Sequence, residues 1–171
     1  MELLQEIGKD MERIVWLDNY NTGIDEIDIQ HRQIVGYLNQ LFEAKKARNA
    51  QLINEVIDGM IDYTMSHFTF EEVLMEQAEY PFARAHKSVH DTFVKRVERF
   101  RERFLAGEDI SEEFFSVLKR WLVNHIQRDD AAYVRAVKAQ LATLSKEEPI
   151  TANGTTRGSW ISRTVKKIFG V

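Results

Sequence analysis

Four side chains suited to metal binding occur as two pairs, each spaced by four residues. His67 and Glu71 form the first pair, and His86 and His90 form the second. Four residues are one helical turn plus about 40°, so each pair projects from one face of a helix. Tyr80-Pro81 lies between the pairs and predicts a break between two helices. Antiparallel packing of those helices would place three imidazoles and a carboxylate in a shared interior.

Apolar residues recur at helical spacing along most of the chain and predict four long helices. The predicted helices cover about residues 24–47, 50–77, 82–106 and 111–145. Short turn-rich segments separate them, and no β-hairpin signal competes. We therefore predict an all-α fold, an antiparallel up-down-up-down four-helix bundle. His31 and His125, the other two of the five histidines, fall in the first and fourth helices, so every helix carries an imidazole.

The composition excludes several classes of function. The chain contains no cysteine, which excludes disulfides, thiolate metal ligands and cysteine nucleophiles. Its net charge of −4 argues against a nucleic-acid-binding body. The sequence has no apolar run of the ~18 residues that a membrane span requires. Charged residues also interrupt the N-terminus, so no signal peptide is predicted. We expect a cytoplasmic protein.

The two ends of the chain are predicted to be separate from the bundle. The first 15 residues place five apolar side chains at roughly helical spacing and predict a short N-terminal leader helix: Leu3, Leu4, Ile7, Met11 and Ile14. Residues 1–148 are predicted to form one domain, with its core at about residues 16–145. Residues 149–158 are small and polar and predict a flexible linker, which leaves residues 159–171 as a tail.

The tail is predicted to form an amphipathic basic helix when it meets a surface. All acidic residues precede residue 149, whereas the tail has an apolar and a basic face. The residues predicted to dock it are Trp160, Ile161, Arg163, Lys166, Lys167, Ile168 and Phe169. An anionic membrane surface fits such a helix, and a groove on a client protein would use the same apolar face. Folding back onto the chain's own bundle is the alternative.

The five histidines together favour a metal site over five separate structural roles. Unpartnered imidazoles in one core would be costly if charged, whereas a metal satisfies them. Imidazole and carboxylate ligands suit iron, zinc, copper or manganese, and the number of ligands favours two ions over one.

The identity of the last carboxylate ligand is ambiguous from the sequence. Asp129 lies about 40° round the helix from His125, and Asp130 lies about 140° round it, so helical geometry alone favours Asp129.

Four segments resemble the motifs of the bacterial hemerythrins, a family of non-haem di-iron oxygen-binding proteins. They are Gly23-Ile24-Asp25-Glu26-Ile27-Asp28-Ile29-Gln30-His31, His67-Phe68-Thr69-Phe70-Glu71-Glu72-Val73-Leu74-Met75, the pair His86 and His90, and Trp121-Leu122-Val123-Asn124-His125-Ile126. The pair begins nineteen residues after His67, as in that family, and Asp130 follows His125 by five. The resemblance covers about residues 16–135. The leader, the tail and a longer segment between His90 and His125 depart from it.

The resemblance implies two iron ions (Fe2+/Fe3+) joined by a bridging oxo or hydroxo group. Carried over to this chain, the ligands are His31, His67, Glu71, His86, His90, His125 and Asp130. The last three histidines would hold one iron, the first two would hold the other, and the carboxylates would bridge them. The family spacing selects Asp130 over Asp129, which requires a locally wide helical turn. The resemblance also places four side chains around the open oxygen position: Phe68, Trp121, Leu122 and Ile126.

The function that the resemblance implies is reversible dioxygen binding, for storage, delivery or sensing, and not enzymatic catalysis. The residue pattern also favours oxygen binding over oxidation of a substrate. Ferritin-like oxidases use a Glu-x-x-His motif, and no histidine here has a glutamate three residues before it. A di-iron peroxidase, or an enzyme that detoxifies nitric oxide or peroxide, is the first alternative. A zinc-filled or purely structural interaction bundle is the second.

Overall fold

A computed structural model describes residues 11–147 of the chain, with side chains described through residue 140. The first ten residues of the predicted leader lie outside the described residues. So do the predicted linker and the predicted docking residues of the tail, from Trp160 to Phe169. The division of the chain into a domain, a linker and a tail therefore stays a prediction.

The described fold contains a short 3-10 helix, five α-helices and one π-helical segment: the 3-10 helix Asp18–Tyr20, α1 (Asp25–Lys46), α2 (Ala50–Gln77), α3 (Ala83–Leu105), α4 (Ser111–Asn124), the π-helical segment His125–Asp130 and α5 (Ala131–Glu147). The last three follow one another without a break and form the fourth helix of the bundle. Residues 11–147 contain no strand. The all-α four-helix bundle is confirmed, and its helix limits agree with the predicted ones to within two residues.

Local sequence explains where these helices begin and end. The Asn49 side chain accepts a hydrogen bond from the backbone N–H of Leu52 at 3.0 Å and caps α2. Pro81 lies in the connection between α2 and α3, where its ring disfavours a helical residue before it. Gly107 follows α3 with a φ of 90°, a left-handed conformation that glycine adopts without steric cost.

The segment before α1 corrects part of the leader prediction, because residues 11–17 are not helical. The side chain of Asn39 on α1 accepts from the backbone N–H of Ile14 at 2.8 Å and donates to the Ile14 carbonyl at 3.0 Å. A helix through residue 15 would use the Ile14 N–H for its own hydrogen bond to the carbonyl four residues earlier. Met11, Ile14 and the following Trp16 still pack against the main apolar cluster, so the described end of the leader docks without forming a helix.

Asp28 fixes the loop that leads into α1. Its buried carboxylate accepts hydrogen bonds from the backbone N–H of Thr22 at 2.7 Å and of Gly23 at 3.1 Å. The Thr22 hydroxyl donates to the same carboxylate at 2.7 Å. From α5, Lys138 Nζ donates to the Thr22 carbonyl at 2.6 Å. These contacts join the start of α1 to the fourth helix. Asp28, which organises them, lies three residues before His31.

The apolar core consists of two clusters, and the histidines lie between them along the bundle. The larger cluster includes Leu38, Phe93 and Phe114 from three different helices. The smaller one includes Ile27 of α1 and Leu74 of α2. Such burial excludes water from both ends of the histidine layer. Within residues 11–147, none of the helices combines the length and apolar character needed to cross a membrane.

Candidate metal centre

All seven side chains predicted to bind metal converge in the interior of the bundle. The most exposed of them, His86, is only 6% accessible, and three of them have no accessible surface. Each bundle helix contributes at least one of these groups: His31 from α1, His67 and Glu71 from α2, His86 and His90 from α3, and His125 and Asp130 from the π-helical segment. Burial of so many polar groups at one level identifies a site and not a part of the apolar core.

Three imidazoles form the first ligand group, which we call the three-histidine group. Nε2 of His90 lies 3.0 Å from Nε2 of His86 and 3.1 Å from Nε2 of His125. These three nitrogens and a carboxylate oxygen of Glu71 lie within 4.8 Å of one another. Converging ring nitrogens next to a carboxylate are what a metal ion of intermediate softness requires.

Two imidazoles form the second group, the two-histidine group. The rings of His31 and His67 meet edge to face, with 4.7 Å between their centroids. Nε2 of His31 lies 3.7 Å from Glu71 Oε1, and Nε2 of His67 lies 3.5 Å from the same oxygen. These atoms also lie within 4.8 Å of one another, so the site contains two adjacent ligand groups that share Glu71.

Both carboxylates divide their oxygens between the two groups. Glu71 Oε1 faces the two-histidine group, whereas its Oε2 lies 3.2 Å from Nε2 of His90. Asp130 Oδ2 lies 3.3 Å from Nε2 of His31, whereas its Oδ1 lies 3.1 Å from Nε2 of His125. A carboxylate with one oxygen on each group has the geometry of a bridge between two metal positions.

The π-helical segment brings Asp130 into the site. It runs from His125 to Asp130, and π-helical hydrogen bonds join residues five apart instead of four. The locally wide turn expected from the spacing of Asp130 is therefore confirmed. Asp129 lies on the outside, where its Oδ2 accepts from Nδ1 of His125 at 3.1 Å and its side chain is 41% exposed. The two aspartates thus contact opposite nitrogens of one imidazole.

The contacts among these side chains leave several buried polar atoms without a hydrogen-bond partner. Among the described residues, six buried side-chain atoms have no hydrogen-bond partner: His31 Nδ1, His31 Nε2, His67 Nε2, Glu71 Oε2, Asp130 Oδ1 and Asp130 Oδ2. Buried polar groups without partners are rare and costly in proteins. All six belong to the predicted ligands, and five of them face the other ligands of the cluster. The donor set therefore fits metal ions, which would satisfy these atoms together.

The protonation states of the site residues also suit a cation. Burial lowers the pKa of His67 to about 3, so its ring is neutral and can offer a lone pair at ordinary pH. Burial acts to raise the pKa of Glu71, but the surrounding imidazoles, His67 first, outweigh it and hold that pKa well below its ordinary value. Burial acts to lower the pKa of His125, but nearby carboxylates, Asp130 first, raise it well above its ordinary value, so a proton on this ring supplies the positive charge that a metal ion would supply in its place. An ionised carboxylate in this interior needs positive charge beside it.

The family model described as the hemerythrin HHE cation binding domain matches residues 22–137, the part of the chain that holds all seven residues. The chain belongs to the hemerythrin family. The family resemblance expected from the sequence is thereby confirmed, and the histidine–carboxylate cluster is the part of this hemerythrin that fits a metal site.

Known hemerythrins resemble the chain along most of its length. The bacteriohemerythrin of Stenotrophomonas maltophilia (strain R551-3) is 51% identical over 160 residues, which are 94% of this chain and all of that protein. The bacteriohemerythrin of Pseudomonas aeruginosa (strain LESB58) is 47% identical with the same coverage. A crystal structure of wild-type hemerythrin superposes with a TM-score of 0.70 at 29% identity, covering 74% of this chain and 98% of the other.

Two histidines and one carboxylate of the site have polar partners that sequence reasoning missed. Nδ1 of His67 lies 2.8 Å from Oε1 of the buried Gln30, and Nδ1 of His90 lies 3.3 Å from Glu72 Oε1. The buried Tyr133 hydroxyl donates to Glu71 Oε1 at 2.6 Å. Burial raises the Tyr133 pKa well above its ordinary value, which keeps this donor protonated. Gln30 and Glu72 adjoin predicted ligands within the motifs, and this adjacency is the one sign of these contacts in the sequence.

The four predicted pocket residues surround the three-histidine group or adjoin it along the chain. The Phe68 ring stacks on His90, with 3.9 Å between centroids, and Trp121 stacks on His125 at 4.3 Å. Leu122 and Ile126 flank His125 in sequence and are buried in the main apolar cluster. The described structure thus places apolar side chains on this side of the hemerythrin centre. Their role around an open oxygen position stays a prediction.

Proposed function

We propose that this hemerythrin-family protein binds dioxygen reversibly at a non-haem di-iron centre. The observation that supports the proposal most strongly is the division of each carboxylate between the two histidine groups. His86, His90 and His125 would hold one iron, and His31 and His67 would hold the other. Glu71 and Asp130 would bridge them, together with an oxo or hydroxo group. When bound, the two irons would supply the two electrons that dioxygen uptake requires.

The first contribution of the chain is to fix the positions of the ligands and to provide few negatively charged ones. All terminal ligands in this assignment are imidazoles, and both carboxylates are shared. Few carboxylates then remain to stabilise more highly oxidised iron or to shuttle protons. That donor set favours binding over oxidation of a substrate, and we propose a binding role in oxygen storage, delivery or sensing.

Water exclusion is the second contribution of the chain. Phe68, Leu122 and Ile126 are each no more than 3% exposed, and Trp121 covers one face of His125. An apolar lining slows the loss of anionic oxygen species, because charged species need water or proton donors to leave. We propose that these four side chains form the oxygen pocket.

Aerobic purification followed by metal analysis and visible spectroscopy tests the proposal. We expect about two iron ions per chain, because the ligands exceed what one octahedral ion accepts. We also expect visible absorption that bleaches when oxygen is removed and returns when oxygen is restored. A colourless protein loaded with zinc would contradict the proposal and favour a structural bundle. A spectrum that does not respond to oxygen, together with turnover of peroxide or nitric oxide, would favour a di-iron enzyme.

A further inference from the structure

The three-histidine group is backed by two carboxylates that lie outside the site. Nδ1 of His90 lies 3.3 Å from Glu72 Oε1, and Nδ1 of His125 lies 3.1 Å from Asp129 Oδ2. Lys87 Nζ donates to the other oxygen of Glu72 at 2.8 Å, which holds that carboxylate in place. A histidine that donates its outer N–H to a carboxylate becomes a more basic metal ligand at its other nitrogen.

The two-histidine group has weaker outer support. Nδ1 of His67 lies 2.8 Å from the amide oxygen of Gln30, which is neutral. Nδ1 of His31 is fully buried and has no hydrogen-bond partner among the described residues. No carboxylate therefore backs either imidazole of this group among the described hydrogen bonds and ion pairs. Their inner nitrogens gain less basicity than those of His90 and His125.

The shared carboxylate Glu71 adds to this asymmetry. Its Oε1 faces the two-histidine group and already accepts a hydrogen bond from Tyr133 at 2.6 Å. Its Oε2 faces His90 at 3.2 Å and has no hydrogen-bond donor among the described residues. A donor on one oxygen draws negative charge toward itself, which leaves less for a metal ion beside that oxygen.

We propose that the two metal positions differ in strength, with the three-histidine position filled first and emptied last. Glu72 and Asp129 are positioning residues for that position, because they orient His90 and His125 and increase the basicity of both rings. The inference rests on the two-metal occupancy of the proposed function. It adds an order of loading and two residues that set this order from outside the ligand shell.

The test is anaerobic release of ferrous iron from the full-length loaded protein to a coloured chelator in excess. We expect two kinetic phases of equal amplitude. Glu72→Gln and Asp129→Asn should each accelerate the slow phase by about tenfold or more and leave the fast phase unchanged, since loss of an outer partner weakens metal affinity to that extent. Asp91→Asn is the matched control, because this exposed carboxylate on α3 contacts Lys87 and no imidazole; it should change neither phase.

Gln30→Glu supplies a test in the opposite direction. It places a carboxylate behind His67, so it should slow the fast phase and bring the two rates together. Release in a single phase from the original protein, or acceleration of both phases by Glu72→Gln and Asp129→Asn, would overturn the inference. Metal content is measured first. Fewer than two ions per chain would refute the di-iron proposal itself, whereas two ions released at one rate would refute only the order.

Discussion

Asp130 contacts His125 although the two residues are five apart in one helix, with 3.1 Å between Oδ1 and Nε2. In a regular α-helix they would be about 140° apart and unable to meet. The π-helical segment between them removes that separation and leaves Asp129 facing outward. A local change in helical pitch thus decides which of two adjacent aspartates enters the site.

The first prediction tests that choice. Asp130→Asn should lose iron from the purified protein, because Asp130 is fully buried and contributes one oxygen to each histidine group. Asp129→Asn should retain both irons when iron is in excess, with only the faster release described above. Iron analysis of the two purified variants is the measurement. Loss of iron from Asp129→Asn with full occupancy in Asp130→Asn would show that the roles are reversed.

The sequence predicted the helices and the inward-facing pairs well because both depend on local periodicity. The spacing of His67 and Glu71 already specifies one helix face. Helical periodicity could not predict that Asp130 enters the site, because a π-helical segment departs from the regular spacing on which that argument rests. Gln30 meets His67 across 37 residues of sequence, and Asn39 reaches Ile14 across 25. Contacts of this kind follow from how the helices pack, and helical periodicity does not specify them.

The second prediction concerns Leu122, which is buried three residues before His125. Leu122→Ala should leave iron content near normal but speed autoxidation of the oxygenated protein, because truncation admits water and proton donors. The rate is read from the decay of the visible absorption in air. Leu118→Ala is the matched control, since Leu118 is equally buried about one turn farther from His125. Each variant should lose roughly 2–5 kcal/mol of stability, and equal autoxidation rates would refute the role of Leu122.

The third prediction concerns the loop that Asp28 holds. Asp28→Asn should destabilise the bundle by roughly 1–3 kcal/mol, because the buried carboxylate accepts three hydrogen bonds from Thr22 and Gly23. Asp25→Asn, at an exposed position in the first turn of the same helix, should cost less than about 1 kcal/mol. Denaturant unfolding of both variants in the same metal state gives the comparison. Equal losses would mean that Asp28 acts only through its charge near the helix start.

The last prediction concerns the tail, whose residues 159–171 lie outside the described structure and are argued from sequence alone. Trp160, Ile168 and Phe169 share one face of the predicted helix, and Lys166 and Lys167 share the other. Thirteen residues are too few for a stable free helix, so we expect the helix to form on contact with an anionic membrane surface.

Co-sedimentation with anionic lipid vesicles, for the full chain against a chain ending at Glu148, measures that binding directly. The full chain should sediment at low salt and stay in solution with uncharged vesicles, because about 1 kcal/mol per basic residue comes from the surface potential. Replacing Lys166 and Lys167 by Gln should weaken binding to anionic vesicles, and Trp160→Ala should weaken it without changing the charge. If both chain lengths remain in the supernatant at low salt, membrane docking is wrong. A client protein or the bundle itself would then be the surface that the apolar face meets.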